Sequence, residues 1–149
     1  MSDPLLGELL KMAKFETHLI VLSQWSARVT IIIGGNHEQH LEAFKRRSVS
    51  KAESVEYADY MRDEMRHNAA VVLQPKSRPS AQFVYFPQPP NLTKADVIGV
   101  VAHELLHVTI GILRRADVRM TDASEETYTY LHGHLMQEFW KKLTPKGKR

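Results

Sequence analysis

The stretch Val97–Leu113 constrains the fold more than any other part of the chain. It is apolar throughout except for Thr109 and for His103, Glu104 and His107 near its middle. Its length and lack of proline make it a helix, and apolar residues on nearly every side place that helix in the middle of the fold. A membrane span needs about 20 apolar residues and tolerates buried charge badly. We therefore read the run as a core helix of a chain without a membrane segment. Thr93 and Asp96 stand where a capping box would open it, and Arg114 and Arg115 suit its C-terminal end.

The rest of the chain must supply what this helix packs against. With 149 residues, 43% of them hydrophobic and 25% charged, there is material for one core. Residues 4–14 read as a short helix, and 18–22 and 28–33 as strands. Gly34-Gly35-Asn36 makes a turn into a helix over 37–47, with Leu41 and Phe44 inward and His37 and His40 solvated. A charged helix follows from Ser50 to about His67, with Val55, Ala58, Met61 and Met65 as its seam. Residues 69–73 and 82–86 are strand-like, and 123–143 form a last helix. The expected class is α+β: a small sheet packed on helices, with a central buried motif helix and a C-terminal helix bearing glutamates. One domain spans 1–143, and 144–149 form a basic tail. Trp25 and Trp140 read as core or half-buried anchors.

Charge and cysteine content narrow the function classes. The net charge is +3, concentrated in Lys45-Arg46-Arg47 and the tail. No aromatic residues interleave with these charges, so nucleic acid is disfavoured as a partner. There is no cysteine, so any metal must be held by His, Asp or Glu. The N-terminus has no secretory pattern, and we expect a cytoplasmic protein.

His103-Glu104-Leu105-Leu106-His107 carries the chemistry. Residues four apart on a helix lie one turn above each other, so two imidazoles can reach one ion. Glu104 is rotated away from that ion and can take a proton from a water that zinc has acidified. A catalytic zinc needs a third protein ligand. Glu125 and Glu126 follow His107 by 18 and 19 residues, at the start of the last helix. If Asp122 caps that helix, Glu125 closes a capping box and Glu126 is left for the metal. Glu126 lies off the apolar stripe Tyr128, Leu131, Leu135 and Phe139, which keeps Glu125 open as the ligand. Glu126, Tyr130 and His134 share one face.

Val100-Val101-Ala102-His103-Glu104-Leu105-Leu106-His107 resembles the extended signature of zincin peptidases, with Thr109 where a hydrophobic residue is usual. Glu126 through Leu131 is similar to the glutamate helix of gluzincin-like proteins, and residues 83–140 as a whole resemble small phage or prophage metallopeptidases. The resemblance implies Zn2+, held by His103, His107 and Glu126, with Glu104 as general base and a peptide or protein substrate. Tyr130 could orient Glu126 or donate to a developing oxyanion, and His134 could assist there. The competing reading is a non-catalytic zinc protein whose metal serves structure or docks a partner. For a peptidase, Gln82–Phe86 is the expected free sheet edge, because prolines follow it, and an extended peptide would add to it.

Overall fold

Alternation along the strands sets up the layers. The computed structural model describes residues 14–63 and 69–147. The expected helix over 4–14, Met65 and His67 thus lie wholly or almost wholly outside the described residues. Strand β1 is Glu16–Leu22, and after one 3-10 turn (Ser23–Trp25) comes β2, Ala27–Ile33. Helix α1 (His37–Arg46) and helix α2 (Lys51–Asp63) follow, then β3 (Val71–Leu73) and β4 (Ala81–Phe86). Two long helices close the chain, α3 (Ala95–Arg115) and α4 (Glu125–Leu143). The sheet order is β1-β2-β4-β3, with β2 parallel to β4 and the other two pairs antiparallel.

Successive side chains of a strand point to opposite faces, and both faces of this sheet are apolar. Val29, Ile31, Ile33, Val84 and Phe86 point to one side, where α3 and α4 cover them. Ile32, Phe83 and Tyr85 point to the other, against Phe44 of α1 and Met61 of α2. The result is an α+β domain in three layers, with the sheet in the middle. β2 is paired on both sides, which explains the unbroken apolar run Ile31-Ile32-Ile33.

The same arrangement corrects the expected sheet edge. All six residues of β4 are buried, and β4 pairs with β2 on one side and β3 on the other. The prolines at 87, 89 and 90 follow the strand and so never interrupt its ladder. The edges among the described residues are β1 and β3.

The turn into α1 shows why its residues are what they are. Gly34 and Gly35 both have positive φ, and a Cβ on Gly35 would lie 2.5 Å from the Phe15 ring. Asn36 and Gln39 then form the reciprocal capping box, each bond 2.9 Å.

His40, expected to be solvated, is buried at 2% exposure, because His40, Ala43 and Phe44 form the inner stripe of α1. Its Nε2 lies 2.7 Å from the Gly34 carbonyl oxygen and therefore donates to it. That leaves Nδ1 bare, buried and without a partner. Burial lowers the pKa of His40 below its ordinary 6.5, with the Gly34 bond opposing. Protonation therefore favours the unfolded chain. The contribution is intact above pH 6.5 and is lost as the pH falls through that value toward the folded pKa. The urea midpoint of the wild type is expected to drop between pH 7.5 and 5 more steeply than that of His40→Gln; equal slopes would remove His40 as the cause.

Candidate metal centre

The motif lies on α3, and the helix has two unlike sides. Val101, Leu105, Val108, Thr109, Ile112 and Leu113 are its buried residues. At about 100° per residue, His103 and His107 point about 150–170° away from the middle of that stripe, and Glu104 lies at its flank. Both histidines are exposed and Glu104 is half-buried. The expectation of a helix buried all round is thus corrected: the outward face of α3 carries the motif, with Leu106 40% exposed beside it. A single helix lying on one sheet face and one neighbouring helix can bury only one broad stripe, whatever its composition. By length and composition alone, α3 would also suffice to cross a membrane.

On that face the two imidazoles meet. Their Nε2 atoms are 3.1 Å apart, and the rings stand at 82° with centroids 4.8 Å apart. Two nitrogens each about 2.0–2.1 Å from one tetrahedral zinc lie about 3.3–3.4 Å from each other. The separation of the pair therefore suits two positions of such an ion. Without one, a single N–H can bridge the two rings. Among the described residues no third His, Asp or Glu joins them.

The glutamates of α4 do not complete the set. Tyr128, Leu131, Leu135 and Phe139 are the buried stripe of α4. Glu126 and Tyr130 leave the helix about 175° and about 145° from the middle of that stripe, and both are exposed, Tyr130 at 74%. His134 is exposed too. The N-cap of α4 is Ser124, without a side-chain bond to the helix, so neither Asp122 nor Glu125 makes the expected cap. The Ser124 hydroxyl turns to the Arg119 carbonyl instead. Trp140, expected as an anchor, is 45% exposed.

The start of α3 differs from expectation in the same way. Its N-cap is Lys94, with no side-chain cap bond. Thr93 donates its hydroxyl to the Asn91 side chain at 2.7 Å, a local turn that competes with capping. The Asp96 side chain is left with no hydrogen bond or ion pair among the described residues.

Two features near the motif escaped the sequence reading. A cleft of ≈ 470 Å³ opens between α3 and the approach to β3, bounded by Ala69, Ala70, Asp96, Gly99, His103 and Glu104. Past the motif, the Gln74 side chain reaches from the end of β3 to the His107 carbonyl oxygen at 3.3 Å. Gly111 makes room for it, since a Cβ there would stand 2.5 Å from Gln74 Nε2. The two mid-helix glycines, Gly99 and Gly111, were the available signal, because glycine inside a helix costs about 1 kcal/mol relative to alanine and so invites a reason. Thr109, the odd residue of the motif helix, satisfies itself by donating to the Leu105 carbonyl at 2.9 Å.

The Gln74 contact has a measurable consequence. Gly111→Ala should gain about 1 kcal/mol of helix propensity and lose about as much from the displaced hydrogen bond. The single mutant is expected near wild-type stability, while Gly111→Ala made in a Gln74→Ala background should show the full gain. Urea titrations of the four proteins check this, and equal effects in both backgrounds would show that Gln74 does not constrain the site.

No protein-family model, no curated protein and no solved structure matches this chain.

Proposed function

We propose that the protein is a zinc-dependent hydrolase, a metallopeptidase, working on the outer face of α3. The observation that carries the reading is the His103–His107 pair, whose 3.1 Å Nε2 separation suits a shared ion, with a free carboxylate one residue along. When bound, zinc supplies acidification of water and polarisation of a carbonyl. His103 and His107 would hold the ion through Nε2, and the third protein ligand that a catalytic zinc needs is not gathered beside them by the described residues. The Glu104 side chain has no hydrogen bond or ion pair among the described residues, so its carboxylate is free to take a proton from water and return it to the departing amine. The substrate peptide runs beside β3, which takes over from β4 as the candidate docking strand. Among the described residues β3 is an edge strand, and Ala69 and Ala70 just before it share the cleft with His103 and Glu104.

Zinc titration followed by calorimetry tests the reading. One zinc per chain is expected, and His103→Ala or His107→Ala should abolish binding. Glu126→Ala is expected to change the affinity by no more than about threefold, since loss of even an orienting partner costs about tenfold or more. A larger loss would return Glu126 to the metal. No binding to the wild type, together with no hydrolysis of a mixed peptide library in zinc, would sink the proposal.

One observation favours a second reading. An exposed pair that the described residues complete with no third ligand also suits a metal shared with a partner, which would bring the remaining donors. Zinc-dependent association in sedimentation, without hydrolysis, is its distinguishing result.

A further inference from the structure

The cleft beside the histidine pair has a shape and a charge. Gly99 and Val100 form its floor on α3, and Ala69 and Ala70 stand across from them. A Cβ added to Gly99 would meet nothing within 4 Å, so the floor is open to an incoming side chain. Asp96 stands at the end away from His107. Among the described residues no lysine or arginine lines the cleft, and the side chains of Asp96 and Glu104 have no partner. The described lining is therefore negative and runs up to the candidate centre.

Distance fixes which part of a substrate would lie there. Asp96 precedes His103 by seven residues and shares its side of the helix, about 10.5 Å away along the axis. A lysine's four-carbon stem reaches about 6 Å from its Cα, and arginine slightly further. With a salt-bridge separation of about 3–4 Å added, a basic residue next to the scissile bond spans the gap. An aspartate or glutamate there would meet like charge.

We propose that this cleft selects a lysine or arginine side chain adjacent to the bond being cut, with Asp96 as the specificity-determining carboxylate. The inference rests on the reading of the His103–His107 pair as a hydrolytic centre, and it names the substrate class: peptides with a basic residue at that position. Because Asp96 is exposed, the preference is moderate, about fivefold over an uncharged side chain of equal length, and salt weakens it.

The test uses the full chain and a matched set of peptides, acetyl-Ala-Ala-X-Ala-Ala-amide with X lysine, arginine, norleucine or glutamate. Binding is followed by the Gly99 amide signal in NMR, with zinc and with chelator, so the readout does not depend on turnover. Lysine and arginine peptides are expected to bind about fivefold tighter than norleucine at low salt. The ratio should fall to near one in Asp96→Asn or in 0.5 M salt, stay in Asp96→Glu, and reverse toward glutamate in Asp96→Lys. Equal affinities in the wild type, a preference that survives Asp96→Asn, or no shift of Gly99 with any peptide would overturn the inference. Binding with the expected ratio but no hydrolysis in zinc would leave the cleft standing and remove the peptidase reading. Hydrolysis blind to the basic residue would do the opposite.

Discussion

Replacing Glu104 with glutamine is expected, on the proposed zinc-hydrolase reading, to lower turnover by about 10²–10⁴-fold while leaving zinc affinity nearly unchanged. The split follows from geometry. His103 and His107 meet on the outward side of α3, and Glu104, one residue on, sits at the flank and makes no bond that holds the pair. Glutamine keeps the shape of the side chain and loses only the ability to take a proton. The check is a pair of measurements on one preparation, kcat/KM for a cleaved peptide and the zinc dissociation constant. Full turnover in Glu104→Gln would show that some other group accepts the proton. Equal loss of zinc and activity would make Glu104 a ligand.

The second large effect lies in the core on the other side of the sheet. Phe83 is fully buried in β4, and its ring meets that of Phe44 edge to face with centroids 4.7 Å apart. Phe83→Ala removes that contact and leaves a cavity that the paired strands on both sides prevent from closing. A loss of about 3–5 kcal/mol is expected, which at this chain length lowers the melting temperature by about 10 °C or more. Phe83 points away from α3, so zinc affinity per folded molecule should be unchanged. A loss below about 1 kcal/mol would mean that the α1–α2 layer adds little to stability.

The sequence was most legible where one local rule decided the outcome. Short apolar runs rich in β-branched residues and the Gly34-Gly35-Asn36 turn located β1, β2 and α1 to within a few residues. The helix bearing His103, Glu104 and His107 was legible from its length and apolar content. Which face that helix buries was not, because Leu106 and Val100 are as apolar as Leu105 and Val101, and only the sheet and α4 choose between them. His40 misled for the complementary reason: a polar residue joined the inner stripe because its neighbours Ala43 and Phe44 left it there, and a backbone carbonyl was available. The caps at Thr93 and Asp122 failed because Asn91 and Ser124 form local turns that outcompete them. The edge strand was misassigned because three prolines after a strand look, in sequence, like three prolines that limit it. Sheet order depends on contacts between distant segments, and no window of the chain contains them.

The parallel pairing of β2 with β4 also governs how the chain can assemble as it is made. The register from Arg28↔Ala81 to Ile33↔Phe86 joins segments some fifty positions apart, so the central ladder cannot close until Phe86 has left the ribosome. By then α1 and α2 can already cover their face of the sheet. The opposite face, with Ile20, Val29, Ile31, Ile33, Val84 and Phe86, must wait for α3 and α4. At about 5–20 residues per second, the 57 residues from Phe86 to Leu143 take about 3–11 s to synthesise. For that interval the nascent chain exposes an apolar sheet surface, the kind of surface that favours aggregation until it is covered. The last two helices thus act as the chain's own delayed cover, and the histidine pair is presented on its outer side only once that cover has settled.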